Sequence, residues 1–184
     1  MPDDHLPRPQ EPELHRFDRG DDVPNNAELP LLVYRGVLDT RGPDPAGRCE
    51  ALFARNRWKG AWRNGVYDYH HYHTTTHEVL GIVRGHANVR FGGRNGRSIV
   101  LRAGDVVVIP AGVGHKNEGA SPDLLVVGAY PAGQDWDICP ARAGEPPCAQ
   151  SDIARVPRPV ADPVYGLQGP LMTHWRAPVA AHPG

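Results

Sequence analysis

Proline is concentrated at the two ends of this 184-residue chain, and its distribution limits where regular strands can form. Six of the 20 prolines lie in residues 1–30 and ten lie in residues 131–184, whereas only four lie in residues 31–130. Proline lacks a backbone N–H donor and is confined to sheet edges and bulges. We therefore expect a proline-rich N-terminal arm (1–30), a regular core domain (31–130) and a loop-rich C-terminal extension (131–184).

Within the core, short apolar runs alternate with turn residues, which predicts many short strands. The predicted strands are residues 31–34, 58–62, 65–73, 78–84, 87–91, 98–101, 106–110, 115–117 and 124–130. The turn sequence GGRNG at 92–96 contains Asn-Gly, a strong hairpin signal. One helix is predicted, at 45–56, with Cys49, Leu52 and Phe53 on one face. This pattern is typical of an all-β sandwich or barrel.

Composition excludes several classes of function. The net charge is −1, with 20 basic and 21 acidic residues, and this balance does not favour nucleic-acid binding. The first 20 residues contain no apolar leader, and no run of about 18 apolar residues exists, so we expect a cytoplasmic protein that does not enter a membrane. The three cysteines, Cys49, Cys139 and Cys148, are expected to be free thiols, with a Cys139–Cys148 disulfide as the alternative.

Histidine is concentrated in one segment of the core. Five of the ten histidines lie between residues 70 and 86: His70, His71, His73, His77 and His86. Because side chains alternate along a strand, His71 and His73 face the same way. Tyr67 and Tyr69 share that parity, so they are expected either to line a pocket or to pack the interior.

Glu78 follows on the next predicted strand and has the parity of Leu80 and Ile82, which we assign to the core face. A buried carboxylate is costly unless it is paired or binds a metal ion. Two imidazoles and this carboxylate would together supply a metal site. His115 begins a return strand after a Pro/Gly turn and could reach the same place. His77 has the opposite parity and should point away, with a supporting role in the site as the alternative.

Two motifs in the core resemble those of the cupin superfamily. The pattern G-x5-H-x-H-x3,4-E-x6-G is matched by Gly65, His71, His73, Glu78 and Gly85. The pattern G-x5-P-x-G-x2-H-x3-N is matched by Gly104, Pro110, Gly112 and His115. The last asparagine of the second pattern is replaced by Gly119, and the nearby Asn117 is offset from it.

The resemblance covers about residues 60–130. It implies a double-stranded β-helix, the cupin jelly-roll barrel, here with one short helix before it and irregular extensions at both ends. It also implies one divalent metal ion held by His71, His73, Glu78 and His115. The segments HYHTTTHEVLGIVRGHA and GAYPAGQDWDI further resemble single-domain bacterial cupins of the YjlB type, a resemblance that brings no assigned reaction. Single-barrel cupins are often dimers, and we expect a homodimer.

The implied ligand set suggests a function. Three neutral imidazoles and one carboxylate leave a divalent ion with a net charge of about +1 and with open positions for a small-molecule substrate. Fe(II), Mn, Ni or Zn would suit these donors. The leading interpretation is a metal-dependent oxidoreductase of the dioxygenase type, acting on a small chelating substrate, with Glu78 as a catalytic group. The alternatives are a non-redox isomerase or decarboxylase of an oxyacid or sugar, and a non-catalytic binding module.

Three further side chains carry expectations. An isomerase of phosphosugars needs a cation for the phosphate, and parity assigns Arg84 to the interior face. Trp136 and Trp175, in the C-terminal extension, are expected to be buried by aromatic packing, with capping of the pocket mouth as the alternative.

Overall fold

The computed structural model describes residues 9–142, 144–145, 147 and 150–177. Its strands and helices follow one another along the chain as β1 (Glu13–Phe17), β2 (Asn26–Tyr34), α1 (Pro45–Arg55), β3 (Trp58–Asn64), β4 (His71–Tyr72), β5 (Glu78–Arg84), β6 (His86–Phe91), β7 (Arg97–Arg102), β8 (Val106–Ile109), β9 (His115–Ala120), β10 (Leu125–Pro131), β11 (Cys139–Pro140), α2 (Gln150–Ile153) and α3 (Pro170–His174).

The strands form two antiparallel sheets. One sheet has six strands in the order β1-β2-β8-β5-β10-β3, and the other has five in the order β11-β4-β9-β6-β7. Across the described residues, backbone pairing does not join the two sheets into a closed barrel. The strand-rich, two-sheet part of the expected fold is therefore confirmed, whereas closure of the barrel is not.

One hydrophobic cluster draws on both sheets and follows the predicted alternation of side chains. Leu80 and Ile82 belong to it, as the parity of Glu78 predicts. The other buried members are Phe17, Leu31, Val33, Ala87, Val89, Phe91, Ile99, Leu101, Val107, Ile109, Val113 and Val126. The face of β5 that carries Glu78 is thus the interior face.

The opposite face of the six-stranded sheet is covered by α1 and by the C-terminal extension. Asp44 accepts a hydrogen bond from the Gly47 N–H at 2.9 Å, and Pro45 occupies the first turn, so the predicted helix begins where expected. Cys49 and Phe53 are buried against β5. A Cβ at Gly81 would lie 2.6 Å from Cys49 Sγ, so this close packing requires glycine. Cys148 lies outside the described residues, as would any bridge to it.

The two extensions contain more regular structure than their proline content predicts. β1 lies inside the expected N-terminal arm, and β2 begins at Asn26 and includes Pro30. Pro30 is tolerated because it lies outside the paired stretch of β2 with β8, next to an irregularity in the pairing with β1. In the C-terminal extension, Trp175 follows α3 and donates its indole N–H to the Pro30 carbonyl oxygen at 2.9 Å.

The predicted strand at 65–73 is wrong for most of its length, because only His71 and Tyr72 form ladder pairs. Before them the chain has a single backbone link to β9, from the Asn117 N–H to the Tyr67 carbonyl oxygen at 2.8 Å. The strand alternation behind the parity argument is therefore present at His71 and Tyr72 and does not extend to the two tyrosines before them, although the structure still brings His73 to the same site as His71. No helix among the described residues is long and apolar enough to cross a membrane.

Candidate metal centre

Four buried side chains that the sequence marks as candidate ligands meet in the structure. His71, His73 and His115 each offer one ring nitrogen, and these three atoms lie within 4.8 Å of one another, so the three histidines could hold a metal ion. Glu78 Oε2 lies 3.1 Å from His73 Nε2 and 3.3 Å from His115 Nε2. The four residues are 1–5% exposed, so water cannot solvate the carboxylate freely.

Backbone pairing between distant segments creates this convergence. His71 on β4 is the direct partner of His115 on β9. The turn before His115 is fixed by two further bonds: the Gly112 N–H donates to the His73 carbonyl oxygen at 2.7 Å, and the Ala111 N–H donates to His77 Nδ1 at 2.9 Å. Gly112 has a φ of +90°, and a Cβ there would lie 2.4 Å from the Asn25 carbonyl oxygen, which explains the glycine of the second motif.

The second ring nitrogen of each histidine determines its tautomer. Nδ1 of His71 contacts the Tyr69 carbonyl oxygen at 3.1 Å, and Nδ1 of His115 contacts the Val113 carbonyl oxygen at 3.1 Å. Nδ1 of His73 contacts the Asp137 carbonyl oxygen. A carbonyl oxygen only accepts, so each Nδ1 carries a proton and each Nε2 is left to face the site, where it can bind a metal ion once it carries no proton.

Three unprotonated Nε2 atoms and a carboxylate would all be acceptors and would repel one another, unless a proton or a metal cation lies among them. Burial, together with the neighbouring His115, lowers the pKa of His71 to about 3, which keeps that ring neutral. Burial favours the neutral form of Glu78, but His73 and His115 outweigh it and hold the pKa of Glu78 below its ordinary value. Burial likewise opposes charge on His73, yet Glu78 raises the pKa of that ring. This donor set fits a divalent cation, which would replace the proton on His73.

Asp137, which the sequence motifs do not single out, supports the histidine segment. Besides its carbonyl contact with His73, Asp137 accepts hydrogen bonds through its carboxylate from the Thr74 hydroxyl at 2.6 Å and from the Thr75 hydroxyl at 2.9 Å. These hydroxyl donors, together with the backbone N–H groups of Thr74 and Thr75, hold the pKa of Asp137 at about 2, against the effect of burial. Metal-binding histidines commonly have such outer partners. In the sequence, the acidic residues of the segment QDWDI (134–138) are the feature that could have drawn attention to this role.

The four side chains lie at one end of a cavity of about 300 Å³. Its lining is mostly aromatic and aliphatic outside the histidine cluster: Gly60, Trp62, Arg63, Asn64, Gly65, Val66, Tyr67, Leu80, Tyr130, Trp136 and Ile138. Trp62 donates its indole N–H to the Tyr130 hydroxyl oxygen at 3.0 Å. Burial and the nearby Glu78 carboxylate raise the pKa of Tyr130, so its hydroxyl keeps its proton.

The four aromatic candidates from the sequence differ in whether they line the cavity. Tyr67 lines the cavity, whereas Tyr69 is stacked behind it with ring centroids 5.1 Å apart. Trp136 is 57% exposed, so the expectation of a buried ring is wrong there. It stacks on Tyr130 at the cavity instead, because it lies in the loop between β10 and β11. Trp175 is buried as expected.

Two parity assignments have different outcomes. His77 points away from the cavity, as predicted, and its ring packs 4.8 Å from that of Trp175. Arg84, which parity assigns to the interior, is exposed and donates to the Asp123 carbonyl oxygen at 3.0 Å. It lies at the last position of β5, where the chain turns and the alternation no longer controls direction.

Comparison with known proteins identifies the family. Residues 62–127 match the Cupin_2 family, described as a cupin domain. A protein of Bacillus subtilis (strain 168), named "Uncharacterized protein YjlB", is 40% identical over 167 residues, which span 90% of this chain and 98% of that protein. The chain belongs to the cupin family. The resemblance drawn from the two sequence motifs is confirmed.

Solved structures give more distant likenesses to this cupin. Acireductone dioxygenase from Bacillus anthracis, with a cadmium ion in its active centre, is 15% identical and aligns with 56% of this chain and 79% of its own, at a TM-score of 0.41. Oxalate decarboxylase from Bacillus subtilis, which has Mn(II) centres, is 17% identical and aligns with 71% of this chain and 30% of its own, at a TM-score of 0.37.

Proposed function

We propose that this cupin, whose two sheets we interpret as an open form of the double-stranded β-helix, is a metal-dependent oxidoreductase of the dioxygenase type. Its substrate would be a small molecule that chelates the metal ion. One observation carries the proposal: three histidine ring nitrogens and one carboxylate converge at the end of a cavity of about 300 Å³. A purely structural cluster would not need to face such a cavity.

The donor set supports a reactive rather than a closed site. Four ligands leave about two positions of an octahedral ion open, enough for a bidentate substrate or for a substrate atom and O₂. The donors suit Fe(II), Mn, Ni or Zn, and a redox-active ion such as Fe(II) would supply the one-electron chemistry that O₂ requires. We propose one such ion per chain, with His71, His73, Glu78 and His115 as its ligands.

The protein's own groups have defined tasks in this proposal. The carboxylate of Glu78 leaves the loaded centre with a net charge of about +1, which favours a monoanionic substrate group. Tyr130 keeps its proton and lies on the cavity wall, where its hydroxyl can donate to a substrate oxygen. Leu80, Val66 and Ile138 reduce the water in the cavity, which strengthens these electrostatic contacts.

The electron balance of this class needs no second cofactor. A dioxygenase places both atoms of O₂ in its substrate, and the substrate supplies all the electrons, so no nucleotide reductant is needed. The sequence contains no G-x-G-x-x-G that opens a helix and no P-loop motif, in keeping with a reaction that uses no nucleotide.

Oxygen consumption tests the reaction class. Fe(II)-loaded protein should consume O₂ with a member of a panel of diketones, catechols and thiols, and Zn-loaded protein should not. Glu78→Gln should slow this turnover even where the metal stays bound, because it changes the charge beside the substrate. Turnover that persists without O₂ and with zinc in the site would replace the proposal by a non-redox isomerase or decarboxylase. Absence of turnover with every metal would favour the binding module.

We further propose a cytoplasmic homodimer. The edge strands β1 and β7 carry Leu14 and Val100, which are 44% and 42% exposed, and apolar sheet edges are usually covered. Light scattering at micromolar concentration should give twice the chain mass. The double substitution of Leu14 and Val100 by Glu should give the monomer, whereas Leu167→Glu, at a still more exposed position outside the sheets, should not. A monomeric native protein would contradict this proposal.

A further inference from the structure

Two stacked aromatic pairs flank the ligand histidines. Tyr67 and Tyr69 stack with an interplanar angle of 24°, and the Tyr67 centroid lies 5.2 Å from that of His71. Tyr130 and Trp136 stack at 6.1 Å with an interplanar angle of 14°. The Tyr130 centroid in turn lies 6.0 Å from that of His73. Each pair thus connects a candidate metal ligand with the outer part of the cavity.

One ring of each pair is exposed where the cavity opens. Tyr67 is 47% exposed and Trp136 is 57% exposed, and both line the cavity. A single exposed aromatic residue is ordinary, but apolar rings gathered around a concave site indicate ligand binding. Trp62 and Tyr130 also line the cavity, so four aromatic side chains surround it among the described residues.

The charges around the cavity limit what else it can bind. Arg63 is the cation among the described lining residues, and it is engaged by Glu50, which accepts from its Nε at 2.7 Å and from its Nη2 at 2.8 Å. A phosphate or a second carboxylate on the ligand would therefore lack a free cationic partner at this wall. The charge available to a ligand is the net charge of about +1 on the loaded metal centre.

We propose that the cavity selects an aromatic ring joined directly to a monoanionic group that chelates through two oxygen atoms. The chelating group binds at the open metal positions, and the ring stacks on Tyr67 and Trp136. A volume of about 300 Å³ lies at the small end of ligand cavities, which limits the ligand to one or two rings. This inference rests on the proposed metal centre and adds the class of substrate.

Three hydroxamates test it, because they share one chelating group. Benzohydroxamate, cyclohexanecarbohydroxamate and acetohydroxamate are titrated into Zn-loaded protein, which is redox-inert, and affinity is followed by calorimetry and tryptophan fluorescence. Each affinity is divided by the affinity of the same probe for free Zn²⁺. Benzohydroxamate should then bind about tenfold more tightly than either of the other probes. Equal affinity for all three, or for the two cyclic probes, would overturn the proposal.

Substitutions test whether the preference for benzohydroxamate comes from Tyr67 and Trp136. Trp136→Ala and Tyr67→Ala should each weaken benzohydroxamate binding about threefold to tenfold and leave acetohydroxamate binding within about twofold. Trp136→Phe should retain most of the affinity, and Leu167→Ala, which removes an exposed apolar side chain elsewhere, should retain all of it. Equal losses for both probes would contradict stacking. Zinc content decides which claim fails: protein without bound zinc refutes the metal centre, whereas fully loaded protein without selectivity refutes this inference alone.

Discussion

The backbone carbonyl oxygen of Asp137 accepts a hydrogen bond from Nδ1 of His73, a residue 64 positions earlier in the chain. The Nε2 atom of the same ring lies 3.1 Å from Glu78. The bond to Asp137 therefore fixes which nitrogen of His73 faces the candidate metal site. The carboxylate of Asp137 also accepts the backbone N–H of Thr74 at 2.8 Å, so one residue orients both the ring and the turn that follows it.

Asp137→Ala should lower metal affinity about 10- to 100-fold, the range typical of losing an outer partner of a ligand. The substitution leaves all four proposed ligands in place but frees the turn at 74–75, so the Asp137 carbonyl oxygen is no longer held against His73. Competition with a chromogenic chelator measures the change. Asp135→Ala is the matched control, because it removes the same charge from an exposed position of the same loop. Equal affinities for the two variants would contradict the positioning role.

Removal of a proposed ligand should have a larger effect. Purified protein should contain about one transition-metal ion per chain, and His73→Ala or His115→Ala should lose most of it. Each variant leaves Glu78 buried in a site that has one fewer histidine nitrogen to bind the metal ion. His86→Ala should retain the metal, because His86 is exposed on β6. Elemental analysis after purification without added metal checks this, and native protein with no metal would refute the centre.

Metal removal should also lower thermal stability. A cation bound only by the folded protein at about 1,000 times its dissociation constant stabilises the fold by about 4 kcal/mol. For a chain of this size that corresponds to a fall of roughly 8–16 °C in Tm on chelation, recovered when zinc is added back. Calorimetry with and without a chelator measures it. His115→Ala should melt at one temperature in both conditions, and a chelator effect of unchanged size in that variant would place the stabilising metal elsewhere.

The candidate ligand set was predictable because its information is local or contained in fixed motifs. His71 and His73 share a face through alternation, and Glu78 shares the parity of Leu80, which the structure places in the interior. His115 follows a Pro/Gly turn whose glycine is required by its backbone angle. These features need no knowledge of distant pairing, so the amino-acid sequence alone indicates the four residues.

The contacts of the supporting residues were not predictable, because they join distant segments of the chain. Asp137 and Trp136 lie in a loop without periodicity, and only the fold brings that loop onto the histidine segment. Proline content was misleading at β1 and β2, since sheet pairing can accommodate Pro30 where no ladder bond is needed. The prediction that Arg84 faces the interior was wrong for a different reason. Its parity was clear, but β5 ends at this residue.

The contact between Tyr34 and Asp162 supports a prediction about alkaline pH. Tyr34 is buried and donates its hydroxyl to Asp162 Oδ2, which also accepts the Leu171 N–H at 3.1 Å. Burial, together with the negative charge of Asp162, raises the pKa of Tyr34 above its ordinary value of about 10. The folded state therefore retains this proton at a pH where the unfolded chain releases it.

The direction of the change in unfolding free energy with pH follows from the number of protons that each state binds. Below about pH 10 the tyrosine is neutral in both states, and its contribution to the free energy of unfolding is fully present. Above that pH the unfolded chain is ionised and the folded chain is not, so the contribution falls by up to about 1.4 kcal/mol per pH unit until the folded pKa is reached. Tyr130, whose pKa is also raised, adds a similar loss.

Tyr34→Phe should therefore change the pH dependence as well as the stability. At pH 7 the variant should be less stable by about 1–3 kcal/mol, because the buried Asp162 loses a hydrogen-bond donor. Between about pH 10 and pH 11.5 its free energy of unfolding should fall less steeply than that of the native protein, with the slope from Tyr130 remaining. Urea titrations at fixed pH measure both, and Tyr67→Phe, at an exposed position, is the control. If the curves of the variant and the native protein stay parallel above pH 10, the proton on Tyr34 does not contribute to stability in the way the buried contact requires.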